Sequence, residues 1–181
     1  IDQLVRLGIG WVWMGLEGRE GAYDKLHGVD TRALVTLLQS HGIRVLGSSI
    51  IGLENHRPDT IDEVIDYAVS HDTVFHQFML YTAVPGTPLY EAHRREGSLL
   101  PEAEMPAADA HGQYRFNYRH PHIGKGLEEQ YLLSAFQRDF AVNGPSILRM
   151  IRVLLNGWQR YKQEACTRVR RRVAWEASPL R

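Results

Sequence analysis

The chain has 181 residues, a formal net charge of zero and a single cysteine, Cys166. These values exclude an internal disulfide, a metal site made only of cysteines, and a protein built throughout as a polyanion binder. No apolar run approaches the roughly 18 residues needed to cross a bilayer, so we expect a cytoplasmic protein without a membrane span. The charge is uneven, because residues 146–181 hold nine basic and two acidic residues.

The first hundred residues alternate between short apolar runs and amphipathic segments. The apolar runs predict three strands, at 11–16, 44–52 and 74–81, and the first is apolar enough to be buried on both faces. Helix start signals follow them, namely an N-cap at Asp30, a capping box from Thr60 and a Pro-Gly-Thr-Pro turn before residue 88. Strands separated by helices predict parallel βα units.

The rest of the chain predicts a different organisation. In residues 97–126 polar and aromatic residues alternate, which favours a long ordered loop or a small extra strand. Two amphipathic helices are then predicted, at 127–142 and 147–162. We therefore divide the chain into βα units at 1–100, a connecting segment at 101–126 and a helical extension with a basic tail at 127–181. Three βα units make either an open doubly wound sheet or part of a barrel.

Three local sequences narrow this choice: Met14-Gly15-Leu16-Glu17, Ser48-Ser49-Ile50-Ile51-Gly52-Leu53 and Pro85-Gly86-Thr87-Pro88-Leu89-Tyr90. Together with His41-Gly42-Ile43, their order and spacing resemble the later strands of radical S-adenosylmethionine (radical SAM) enzymes. The closest similarity is to the group whose members often carry an N-terminal cobalamin-binding domain. The resemblance implies an α/β fold, specifically the C-terminal half of a partial (β/α)6 TIM-like barrel with an α-helical C-terminal extension.

The resemblance also implies an activity. Such enzymes reductively cleave S-adenosylmethionine to methionine and a 5′-deoxyadenosyl radical, with the electron supplied by a 4Fe-4S cluster on a Cys-x3-Cys-x2-Cys loop. This chain lacks that loop, so either the cluster ligands lie in a missing N-terminal half of the same protein or the gene has lost its catalytic half. Truncation is the simpler explanation, and in both cases no activity is expected from this chain alone. An electron donor such as flavodoxin or ferredoxin is implied as a partner, and cobalamin as a further cofactor of the group. The substrate is not specified.

Carried over by position, the resemblance assigns Glu17 to the SAM ribose hydroxyls and Ile50, Ile51 and Gly52 to the adenine. A surface carboxylate at a strand end is the alternative for Glu17, and an ordinary core strand is the alternative for Ile51. His76, Gln77 and Tyr81 alternate along the third strand and are candidates for substrate contact, although a satisfied core residue explains His76 equally well. We predict no metal ligands in this chain, because His120 and His122 alone make a weak site and Cys166 is expected to pack.

Two other classes of function remain open from the sequence. The first is a non-catalytic half-barrel that binds a nucleotide or RNA, with Arg168 and Arg170–Arg172 as the contact residues. The second is an α/β scaffold whose helical tail, from Ile147 onward, mediates assembly.

Overall fold

The computed structural model describes residues 1–16, 28–101, 104 and 114–180. These residues form a mixed α/β fold with three strands and seven α-helices in the described part of the chain. In chain order they are α1 (Asp2–Leu7), β1 (Trp11–Gly15), α2 (Thr31–Ser40), β2 (Arg44–Ile51), α3 (Ile61–Val69), β3 (Phe75–Leu80), α4 (Pro88–Glu96), α5 (Leu127–Asn143), α6 (Ser146–Tyr161) and α7 (Thr167–Glu176). The three predicted strands, the βα order and the predicted helices are confirmed.

The strands form one parallel sheet in the order β1-β2-β3. The pairing of β1 with β2 runs in register from Trp11 opposite Arg44 to Gly15 opposite Ser48. Helix α2 connects the first two strands and α3 connects the second pair, as parallel pairing requires. Three such strands are common to open α/β sheets and to barrels.

The prediction that β1 is buried on both faces is wrong. Met14 is 8% exposed and packs in an apolar cluster with α2 and α7, whereas Trp11 is 45% and Trp13 is 67% exposed. Successive side chains of a strand point to opposite faces of a sheet. Only the face of β1 that carries Met14 is therefore covered within the described residues, and the tryptophans lie on the other face.

The chain divides into two compact units that are each discontinuous in sequence. The first unit is Ile1–Ser48, Tyr67–Gln77 and Asp139–Arg181, and the second unit is Ser49–Asp66 and Phe78–Arg138. Strands β2 and β3 and helices α3 and α5 each pass from one unit to the other along the chain.

The first unit is held by a buried ion pair as well as by its apolar cluster. Arg149 of α6 is 3% exposed and Asp139 of α5 is 6% exposed, and their side chains make two hydrogen bonds of 2.7 and 3.0 Å. Arg149 also donates to the Thr73 carbonyl, 2.8 Å away, just before β3. This one side chain therefore ties α5, α6 and the entry to β3 together, and its charge is compensated.

The basic tail contains α7, a helix that the sequence pattern did not separate from the tail. Arg168 donates to the backbone carbonyl of Arg6, and Arg170 donates to the carbonyl of Glu164 at 2.8 Å. Cys166 precedes α7 and packs against the apolar cluster of the first unit, as predicted. None of the helices in the described residues has the length and apolarity that a membrane span needs.

The second unit contains the segment predicted to be irregular. Leu99 and Tyr118 form an isolated antiparallel bridge, with Leu100 donating to the Asn117 carbonyl and Arg119 donating to the Ser98 carbonyl. The Asn117 side chain also makes two hydrogen bonds with the backbone of Ala83, at 2.8 and 2.9 Å. The aromatic residues after position 114 are thereby fixed beside the chain that leaves β3.

Candidate functional site at the carboxyl ends of β2 and β3

The candidate site begins where β2 ends, at the Ile-Ile-Gly sequence. Ile50 is half-buried, and Ile51 is 1% exposed. The carbonyl of Ile51 accepts a 2.8 Å hydrogen bond from the amide of Tyr81, the residue directly after β3. Two of the predicted site segments, on neighbouring parallel strands, are therefore joined at their carboxyl ends.

Gly52 is required by its conformation and by its neighbour. Its φ is +84°, and a Cβ at this position would lie 2.2 Å from Cε1 of Phe116. Only glycine combines an easy positive φ with such a close approach. The Gly52 amide donates to Nδ1 of His56 at 3.0 Å, and its carbonyl accepts from the Tyr118 hydroxyl at 2.7 Å. Both backbone groups of Gly52 are thus engaged within the protein.

Leu53, the next residue, is held in the same way. Its amide donates to Nδ1 of His56 at 3.3 Å, and its carbonyl accepts from Nε2 of His120 at 3.0 Å. His120 is fixed in turn, because its Nδ1 accepts from the amides of His122 and Ile123, each at 3.0 Å. Three ring side chains therefore fix the backbone that follows β2.

These hydrogen bonds define the protonation state of the rings. An imidazole nitrogen that accepts two amide protons carries no proton itself, so His56 and His120 are neutral with the proton on Nε2. Burial, and secondarily the nearby His120, lowers the pKa of His56 from 6.5 to about 4. Burial also lowers the pKa of His120 and raises that of Tyr118, so the phenol remains a neutral donor.

The rings pack against one another as a continuous wall in the second unit. Phe116 stacks on His120 with centroids 5.2 Å apart and an interplanar angle of 25°. Tyr118 contacts His93 at 4.3 Å and Tyr81 edge-on at 5.4 Å. His93 Nδ1 lies 2.8 Å from the Ser98 hydroxyl. The arrangement provides a largely aromatic surface, suited to packing a planar or apolar group.

The structure distributes the other predicted site residues differently. Tyr81 lies in the second unit, where its amide meets Ile51. His76 and Gln77 belong to the first unit, and both are partly buried. Nδ1 of His76 lies 3.5 Å from the Thr73 hydroxyl, and burial lowers the pKa of His76 to about 4. Oε1 of Gln77 is buried without a hydrogen-bond partner among the described residues.

Glu17 lies outside the described residues. The amide of Leu16, which precedes it, donates to the carbonyl of Ser48 at 2.7 Å and so extends the β1–β2 pairing by one residue. Within the described part of the chain, no group of three or more His, Cys, Asp or Glu side chains is placed to hold a metal ion.

Sequence reasoning missed the residues that shape the site. His56, Phe116, Tyr118 and His120 were not assigned to it, although three of them alternate along the chain at 116, 118 and 120. A period of two places such side chains on one side of an extended segment, so this signal was available. The sequence pattern did not indicate that the partner of this segment is the backbone of Gly52 and Leu53.

Comparison with known proteins adds no assignment: no protein-family model matches the chain, and no curated protein matches it.

Proposed function

We propose that this chain is the later part of the catalytic barrel of a radical SAM enzyme, with the cluster-binding half preceding it. The observation that carries the proposal is the hydrogen bond between the Ile51 carbonyl and the Tyr81 amide. It joins the Ile-Ile-Gly sequence to the strand that leads into Pro-Gly-Thr-Pro, at the carboxyl ends of adjacent parallel strands. Barrel enzymes bind their ligands at these strand ends.

The residues present fit part of an S-adenosylmethionine site. Ile50 is half-buried and offers apolar surface to an adenine ring, whereas Ile51 is enclosed and both backbone groups of Gly52 are engaged. We therefore assign the direct adenine contact to Ile50. His56, Tyr118 and His120 act behind it as positioning residues that hold the backbone after β2.

A 4Fe-4S cluster does not fit this chain, because its ligands are cysteine thiolates and Cys166 is the single cysteine. The cluster, and the electron it supplies for cleavage of S-adenosylmethionine, are therefore assigned to the preceding half. Where cobalamin is used, we expect a separate domain to bind it.

The deciding experiment concerns the longer gene product. We expect the reading frame upstream of Ile1 to encode Cys-x3-Cys-x2-Cys. The product, purified without oxygen and reconstituted with iron and sulfide, should hold about four iron atoms per chain and release 5′-deoxyadenosine from S-adenosylmethionine under reduction. A variant with the three motif cysteines changed to alanine is the control. Absence of the motif, or an iron-loaded protein that releases no 5′-deoxyadenosine, would contradict the proposal.

The role of Ile50 can be tested in the same protein. Ile50→Ser should weaken S-adenosylmethionine binding several-fold, because it removes apolar contact from the adenine. Ile147→Ser is the matched control, since Ile147 is 54% exposed at the start of α6, in the first unit. Equal binding of S-adenosylmethionine by both variants would show that Ile50 does not contact it.

A further inference from the structure

The second unit contains a cavity of about 310 Å³, lined in part by the rings of the candidate site, to which none of the assignments above gives a ligand. This volume is at the lower end of the range of about 300 to 1,000 Å³ typical of small-molecule sites. Its wall includes three buried apolar or aromatic side chains, Phe116, Tyr118 and Ile123, which are 5%, 1% and 3% exposed. Phe116 is stacked on His120, and the Tyr118 hydroxyl donates a hydrogen bond to the Gly52 carbonyl, so this wall is preorganised.

Five charged side chains also line the cavity, and most of their charge is compensated. Lys125 lies 3.4 Å from Glu104, and Arg115 lies 2.5 Å from Glu129, a residue outside the lining. Two lining charges remain, Arg119 and Glu128. Neither has an ion-pair partner of opposite charge within the described residues, and they do not pair with each other.

The surroundings of these two groups differ. Arg119 is exposed at the protein surface, and its Nη1 makes one long hydrogen bond, 3.3 Å, to the Gly97 carbonyl. Glu128 is only 4% exposed, and its Oε2 accepts a 2.6 Å hydrogen bond from the Gly126 amide. A buried carboxylate is stabilised by a cation, and a guanidinium by a carboxylate. The cavity thus presents one charge of each sign that has no ion-pair partner among the described residues, beside an apolar wall; the Glu128 carboxylate also lies in the first turn of α5, where a helix favours negative charge.

We propose that this cavity binds a small zwitterion, and specifically a free amino acid with an apolar side chain. The ligand carboxylate pairs with the Arg119 guanidinium, the ligand ammonium pairs with the Glu128 carboxylate, and the side chain packs on Phe116 and Tyr118. A ligand with only a negative charge would be repelled by the Glu128 carboxylate, and a ligand with only a positive charge would be repelled by the Arg119 guanidinium. This site does not depend on the radical SAM assignment and can be tested in the 181-residue chain itself.

The first test compares three ligands on the unaltered protein by titration calorimetry. The ligands are L-phenylalanine, its amide, which lacks the carboxylate, and 3-phenylpropanoate, which lacks the amine. We expect L-phenylalanine to bind at least about tenfold more tightly than either analogue, because each analogue loses one charge-assisted interaction. Equal binding of all three ligands, tighter binding of an analogue, or no binding of L-phenylalanine at millimolar concentration would overturn the proposal.

The second test uses charge-neutralising variants of similar shape. Arg119→Gln and Glu128→Gln should each weaken L-phenylalanine binding about tenfold or more. Moreover, Arg119→Gln should abolish the advantage of L-phenylalanine over its amide, and Glu128→Gln its advantage over 3-phenylpropanoate. The matched controls are Arg170→Gln on α7 and Glu63→Gln on α3, both outside the lining. Unchanged affinity and selectivity in both folded variants would overturn the site, and the ligand comparison decides alone if a variant does not fold.

Discussion

Two histidines in the first unit and two in the second unit differ in the polarity of the hydrogen bond made by Nδ1. In the first unit, His41 and His71 each follow a helix, and each Nδ1 lies against the carbonyl four residues earlier, at 2.8 Å from Leu37 and 2.9 Å from Tyr67. A nitrogen facing a carbonyl must carry a proton and donate. In the second unit, Nδ1 of His56 and of His120 faces backbone amides and must accept.

The donating histidines of the first unit support the ends of helices, whereas the accepting histidines of the second unit shape the candidate site. A donor at a helix C-terminus keeps its hydrogen bond when the ring becomes charged, and the helix dipole favours that charge. An acceptor loses its hydrogen bonds on protonation. The first unit combines such donors with a buried ion pair, whereas the backbone after β2 in the second unit depends on neutral rings. The second unit therefore holds the backbone at the strand ends, where we place ligands, with the neutral rings of His56, Tyr118 and His120.

The largest expected effect tests the ion pair of the first unit. Arg149→Met should lower the free energy of unfolding by about 3–5 kcal/mol, because Asp139 would stay buried without its cation. Arg152→Met is the matched control, since the pair of Arg152 with Asp72 has side chains 51% and 40% exposed. Breaking such a surface pair costs about 0–1 kcal/mol. Denaturant unfolding measures both, and equal losses would show that burial of the Arg149 pair is irrelevant.

The second prediction concerns the close approach in the second unit. Gly52→Ala should cost about 2–4 kcal/mol, combining the strain of a positive φ with overlap against Phe116. Gly86→Ala is a close control, because Gly86 has the same φ of +84° with no atom within 4 Å of the added Cβ. It should cost about 1–2 kcal/mol. Adding Phe116→Leu should recover part of the Gly52→Ala loss, and identical losses for the two alanine variants would refute the contact.

Local signals were sufficient to predict most of the fold. The side chain of Asp30 accepts from the Ala33 amide at the start of α2, and that of Thr87 accepts from the Tyr90 amide at the start of α4, as cap residues do. The three strands also lie within a residue or so of their predicted bounds. These features depend on neighbours in sequence, which a single chain reveals directly.

The candidate site was less predictable because it is made by contacts across the sequence. The Tyr118 hydroxyl meets Gly52 from 66 positions away, and His120 meets Leu53 from 67. The sequence pattern supplied the Ile-Ile-Gly segment but not the rings that hold it. The exposure of the β1 tryptophans was missed for a related reason: an apolar run does not indicate whether one face of its strand is left uncovered.

A smaller effect is expected from removing one hydroxyl of the wall. Tyr118→Phe should lower the free energy of unfolding by about 1–3 kcal/mol, because the Gly52 carbonyl would be left buried without its donor. The control is Tyr131→Phe on α5, whose hydroxyl makes no hydrogen bond among the described residues, and it should be nearly neutral. A Tyr118→Phe loss no larger than that of the control, measured by denaturant unfolding, would show that the Gly52 bond adds nothing to stability.

The smallest effect tests the histidine comparison directly through pH. The pKa of His56 is lowered from 6.5 to about 4 in the folded protein. Between these values the unfolded chain binds a proton at His56 that the folded chain excludes. The contribution of His56 to stability is therefore fully present above about pH 6.5 and is lost as the pH decreases toward 4. From about pH 7 to pH 5.5, His56 should account for up to about 1 kcal/mol of this loss.

Variants assign that loss to individual rings. His56→Asn should reduce the pH dependence of unfolding, because the amide oxygen replaces the accepting Nδ1 without titrating. His71→Asn should reduce it less: burial lowers the pKa of His71 too, but the bonds to the Tyr67 and Ala68 carbonyls oppose this. His122→Asn, at an exposed position, should leave the pH dependence unchanged. If His71→Asn flattened the profile more than His56→Asn, the polarity of the Nδ1 hydrogen bond would not decide which of these two rings is the more acid-sensitive, and the comparison of the two rings would fail.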